Sequence, residues 1–196
     1  MRRIVPLLVA VAMLTGCASA RSAAAPAAPS TPPVTPVAAA PVLANTGDDW
    51  PAVVGSLIAY GQWLLSAPDP ALASKVTTPG CAGAESLTEE LASLVDQDAR
   101  VRTSAVVLTS ITGPSSPAGD RVVVRFQASR PAEPVVVRSH SGLSPSARTI
   151  WLEDRPQLAP TTFRVTLTRN DDQAWRFCTV TDTAGDPESE AITRLL

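Results

Sequence analysis

A change of hydrophobic period near residue 100 constrains this fold more than any other feature of the chain. Before it, apolar residues recur at helical spacing. In "GDDWPAVVGSLIAYGQWLLSAPDP" the stripe Val54, Leu57, Ile58, Gly61, Leu64 and Leu65 predicts a helix with one buried face, flanked by Tyr60 and Trp63. Asp48 or Asp49 is placed to cap it, and Pro51 falls in its first turn, where a missing N–H costs nothing. Pro68 and Pro70 end it, and "DPALASKV" makes two further turns. Ser86 with Glu89 reads as a capping box for a third helix, apolar at Leu87, Leu91, Leu94 and Val95.

After Arg100 the period drops to two. "TSAVVLTSIT" reads as a strand. "RVVVRFQAS" alternates, with Val122, Val124, Phe126 and Ala128 on one face and Val123, Arg125 and Gln127 on the other. "EPVVVRSH" follows as a strand, and "ARTIWLED" adds a weaker strand or turn. "TTFRVTLTR" places Phe163, Val165 and Leu167 inward, and "NDDQ" turns the chain into "AWRFCTVTD" as an antiparallel partner. Helices followed by antiparallel strands predict an α+β layered domain over residues 47–187. The tail 188–196, "ESEAITRLL", is left as a short helix or a frayed end.

The first 46 residues stand outside that domain. Arg2 and Arg3 precede an apolar run over 4–14 that is too short to span a bilayer but matches a secretory leader. The run ends "LTGC", which resembles the bacterial lipobox. The resemblance implies cleavage after Gly16, so that 1–16 is a lipoprotein signal peptide, and a lipid thioether on Cys17. The alternative is an ordinary leader cut after Ala18 or Ala20. Residues 17–46 then form a lipidated start and an Ala/Pro-rich tether, whose prolines deny it regular hydrogen bonding. The expected location is the outer face of the cell membrane, held by covalent lipid.

The chain carries 16 basic and 18 acidic side chains. Removing Arg2 and Arg3 with the leader leaves 14 against 18, a net of −4 and not the basic excess of a nucleic-acid binder. With Cys17 committed to lipid, Cys81 and Cys178 remain. An even pair in an exported chain is a candidate disulfide, two buried free thiols being the alternative. Two cysteines and one distant histidine are too few for a zinc site, and no metal or other cofactor is expected.

The helix "YGQWLLSAPDPALASKV", the helical "ESLTEELASLV" and the hairpin "TTFRVTLTRNDDQAWRFCTVTD" resemble the NTF2-like lipoproteins of actinobacteria. That resemblance implies a cone, with N-terminal helices packed against one curved antiparallel sheet. It also implies a cone mouth that serves as a ligand pocket, an enzyme pocket or a packed core, and a sheet that pairs with a second copy in some members.

Catalysis finds little support. Asp96, Asp98, Asp120, Glu153, Asp154, Asp171 and Asp172 fall at a charged helix exit, in turns or in the "EDRP" loop, and none takes an inward strand position. His140 beside Ser139 and Ser141 lacks a positioned carboxylate. No catalytic residue is assigned, and a non-enzyme is expected. Arg125, Arg138, Arg164 and Arg176 recur on strands and would make a cationic strip if their faces coincide; otherwise they fill a solvent face. Tyr60, Trp63 and Trp151 are candidate ligand- or partner-binding aromatics, or core. The leading expectation is a non-catalytic interaction or scaffolding domain on a lipid tether, meeting another envelope protein or a second copy through the sheet. Capture of an apolar or lipid-like ligand in the cone comes second, and an isomerase- or dehydratase-type enzyme third.

Overall fold

The structure, a computed structural model, describes residues 39–139, 148–183 and 188–196. The leader, the lipobox with Cys17, most of the tether, and His140 with its neighbouring serines after Ser139 lie outside the described residues.

The helical half forms as its stripe dictates. Helix α1 (Trp50–Ser66) starts at Asp49, whose carboxylate accepts the Ala52 N–H at 3.3 Å, and buries Val54, Leu57, Ile58, Leu64 and Leu65. A 3-10 helix (Pro70–Lys75) follows, capped in the same way by Asp69. Helix α2 (Ala82–Asp96) begins one turn earlier than the Ser86–Glu89 box predicts. The Cys81 N–H bonds to the Thr78 carbonyl at 3.1 Å and Cys81 takes the cap position, so Ser86 lies inside the helix and donates to the Ala82 carbonyl. Val95 faces solvent, off the stripe made by Leu87, Leu91 and Leu94.

Among the described residues, seven antiparallel strands divide into two sheets. Strands β1 (Ala99–Val101), β4 (Glu133–Ser139) and β5 (Arg148–Arg155) form one, in the order β1-β4-β5. Strands β2 (Val107–Thr112), β3 (Arg121–Arg130), β6 (Leu158–Arg169) and β7 (Trp175–Asp182) form the other, in the order β2-β3-β6-β7. This corrects the NTF2-like expectation. Neither sheet closes or curls strongly, so there is no cone, and the resemblance does not hold. The physical reason lies in two proline-bearing crossings. The chain leaves the four-stranded sheet at Pro131 and re-enters it after Pro156, and each proline lacks the N–H that would continue a ladder.

The alternation in β3 and β6 holds: Val122, Val124, Phe126 and Ala128 are buried with Phe163, Val165 and Leu167. Phe126 and Phe163 are register partners with ring centroids 5.9 Å apart. Helix α3 (Glu188–Leu195) closes the core with Ala191, Ile192 and Leu195, beside Leu196. Upstream, Asn45 is also buried. Its side chain donates to the Trp175 carbonyl at 2.9 Å, and its carbonyl accepts the Trp175 N–H at 2.7 Å. The disulfide Cys81–Cys178 is formed and ties the start of α2 to β7.

Candidate functional site

The two crossings between sheets meet at one corner, and the charged residues that flank them are buried together there. Arg130 ends β3, Glu133 opens β4, Arg155 ends β5 and Leu158 opens β6. Register pairs Arg130 with Leu158 and Glu133 with Arg155. Alternation sends Glu133 to the inward face shared with Val135, and its side chain is 0% exposed. One carboxylate oxygen accepts the Ser104 N–H at 2.6 Å. The other lies 3.3 Å from Arg130 Nη1 and 3.0 Å from Arg155 Nη1. The two arginine side chains are 3% and 11% exposed.

The remaining donors are largely spent on backbone. Arg130 bonds the carbonyls of Pro131 and Pro156 at the two crossings and reaches Arg194 O at 3.3 Å. Arg155 donates to the Thr193 carbonyl. The pair thus caps the last carbonyls of α3, where a cation also suits the helix dipole. Burial lowers the pKa of Arg130, the Arg155 cation lowers it further, and Glu133 opposes both. Burial lowers that of Arg155 too, against Glu133 and Glu90. Arg194 lies 3.0 Å from the buried carboxylate of Asp182. A pocket of about 530 Å³ opens above this corner, lined among others by Glu90, Arg130, Arg155, Pro156, Leu158 and Arg194.

None of these residues is a sequence candidate: Glu133 and Asp182 turn inward and stand outside the set of carboxylates weighed for catalysis. A signal existed: Glu133 shares the phase of Val135 and Val137. Glu153 and Asp154, expected in a loop, belong to β5.

The predicted binding residues scatter. Arg125 and Arg164 are register partners on the open face of the four-stranded sheet, both exposed. Arg176 is held by Asp172 at 3.0 Å and donates to the Ser74 carbonyl at 3.0 Å. Arg138 sits on β4 in the other sheet, its side chain outside the described part. The strip therefore reduces to two arginines. Tyr60 is buried, with Trp63 edge-on at 5.3 Å and packed against the core. Trp50 and Trp175 form a second pair at 5.7 Å. Trp151 stands apart on β5. No cone exists to be lined, so the apolar-ligand reading falls with it.

Among the described residues, no cluster of His, Cys, Asp and Glu is fit to hold a metal ion. No helix there is long and apolar enough to cross a membrane.

No family model matches the chain, and no curated protein does. Among solved structures, the intermembrane space region of the chloroplast protein ARC6 is similar at 13% identity and a TM-score of 0.39, over 66% of this chain and 92% of that one. A variant of Rv3472, a function-unknown protein from Mycobacterium tuberculosis, is similar at 14% identity and a TM-score of 0.35, over 72% and 83%. Likeness at this level assigns neither family nor activity. What stands is an α+β domain with no catalytic or metal-binding motif identified among its described residues.

Proposed function

We propose that this chain is a lipid-anchored, extracytoplasmic protein whose folded part is a non-catalytic interaction domain, meeting its partner through β5. One observation carries the reading. Ile150, Trp151 and Leu152 are 47%, 63% and 47% exposed, three consecutive large apolar side chains on a strand that, among the described residues, has no neighbour on its outer side. Exposed apolar residues gathered on an edge are an interaction signal, and tryptophan is foremost among residues that dominate binding energy. A bulge opposite Val135 and Val136 interrupts the ladder within this run, which disfavours a full added strand. Contact is therefore made by side chains. Glu153 and Asp154 follow the apolar run and are exposed, so the partner is another envelope protein offering an apolar socket beside basic residues. The lipobox supports the anchor, and the disulfide suits a compartment that is not reducing.

Two substitutions test the reading. Cys17→Ala should release the domain from membranes, and continued membrane association would refute the anchor. Trp151→Ala should leave the melting temperature nearly unchanged while abolishing the protein cross-links that the wild type makes in its own host. An unchanged cross-link pattern would refute the surface, and sedimentation of the purified chain would expose a second copy as the partner.

A further inference from the structure

We infer that the open face of the four-stranded sheet binds a phosphate monoester at Arg125 and Arg164. The inference is independent of β5, which belongs to the other sheet. It starts from the register. Thr112 pairs with Arg125, Arg125 with Arg164, and Arg164 with Thr181, so one row of side chains crosses all four strands. Directly opposed residues stand on the same face, with Cβ atoms about 5 Å apart. Two arginines therefore rise side by side from the middle of the row, and both are exposed. Like charges directly opposite each other on paired strands are destabilising, and a shared anion turns that conflict into attraction.

No acid of the protein offsets the pair. Among the described residues, neither guanidinium has a hydrogen-bond or ion-pair partner. The carboxylates at the ends of the sheet are spent, Asp120 on Arg169 and Asp172 on Arg176. Asp182, the one acid within the four strands, is the register partner of buried Phe163; its side chain is 0% exposed and lies 3.0 Å from Arg194. The flanking Thr112 and Thr181 hydroxyls donate to the carbonyls of the adjacent arginines at 3.4 and 3.1 Å, so recognition falls to the guanidiniums. An open depression of about 350 Å³ lies here, lined by Thr112, Gly113, Val123, Arg125 and Arg164. A phosphate monoester brings nearly two negative charges and three acceptor oxygens, which suit two planar donor forks. A carboxylate brings one charge, half of what the pair calls for. An anionic membrane surface is met by clusters of about four to eight cations, and this row has two.

The probe is glucose 1-phosphate, with inorganic phosphate as a second arm and glucose as the uncharged control, titrated into the full chain at constant ionic strength. The Nε–H signals of Arg125 and Arg164 report binding by NMR. Both phosphates should shift them saturably, and glucose should not. Tighter binding of glucose 1-phosphate would assign a sugar-borne phosphate as the ligand, and equal binding the free ion. Arg125→Gln and Arg164→Gln should each weaken glucose 1-phosphate about fivefold, the upper scale of one exposed ion pair. Lowering the pH from about 7.5 to about 5 should weaken it in the wild type as well, because the ester loses its second charge near pH 6 while arginine keeps its own. Without ligand, Arg125→Gln should raise the melting temperature by about 1–3 °C, the relief of two opposed like charges. Absence of saturation, unchanged affinity in both variants, an affinity indifferent to pH, or a lower melting temperature in Arg125→Gln would overturn the assignment.

Discussion

Replacing Glu133 by Gln removes one negative charge and almost no volume from the corner where the sheets meet. The amide oxygen of the substituted side chain can still accept the Ser104 N–H, so the loss is confined to the two guanidiniums at 3.3 and 3.0 Å. Both arginines then remain buried with no carboxylate between them. Breaking a buried pair by removing one partner costs about 3–5 kcal/mol, because the other charge stays where water cannot reach it. For a domain of this size that is about 10–15 °C in melting temperature, and about a fifth or more of a typical folding free energy of about 5–15 kcal/mol. Urea unfolding followed by tryptophan emission reads the change, since Trp175 is fully buried. Asp120→Asn is the control. Its pair with Arg169 is 76% exposed on the carboxylate side, and such pairs are worth about 0–1 kcal/mol. If Glu133→Gln cost no more than Asp120→Asn, the corner would not be held by buried charge, and its account would be wrong.

Three further outcomes follow from other parts of the molecule. Replacing Cys81 and Cys178 by Ser opens a loop with a sequence separation of 97, which the chain-entropy account values at up to about 4–5 kcal/mol in urea unfolding. Gly113→Ala would bring a Cβ to 2.5 Å from the Trp50 ring, whose Nε1 is fixed on the Pro114 carbonyl at 2.9 Å, and should destabilise by about 1–3 kcal/mol in the same assay. Asp172 is held at a pKa of about 2, chiefly by the hydrogen bond from Arg176 and then by the Ala174 N–H. Its folded value lies below the unfolded one of about 3.9, so its contribution is complete above that pH and fades as pH falls towards 2. Carboxyl NMR titration should show this, and Arg176→Gln should return the midpoint towards the ordinary value.

The helices and most strands were legible because their periods are strong and uninterrupted, as in α1 and in β3 with β6. Partition into two sheets was not legible. Alternation reports which side of a strand is buried, not which strand lies beside it, and the crossings are marked only by Pro131 and Pro156. The start of α2 was misplaced because a local capping pattern at Ser86 competed with a constraint from far along the chain, the bond to Cys178. The buried corner was missed for a related reason. A glutamate that opens a strand beside Pro134 carries no local sign of burial, and only the arrival of Arg130 and Arg155 beside Glu133 makes its burial tolerable. The arginine strip illustrates the reverse case: Arg125 and Arg164 do meet, but Arg176 is claimed by the acid four residues before it in sequence, and Arg138 belongs to the other sheet.

Asn45 grips Trp175 through two hydrogen bonds, and the Trp175 indole adds a third to the Gly47 carbonyl at 2.7 Å. Tension on the chain upstream of Asn45 therefore does not peel α1 first. It enters β7, passes through the disulfide into α2, and spreads into the four-stranded sheet. The mechanical entry point of the domain is consequently the edge strand of the four-stranded sheet, held there by its ladder with β6, by the disulfide and by Asn45.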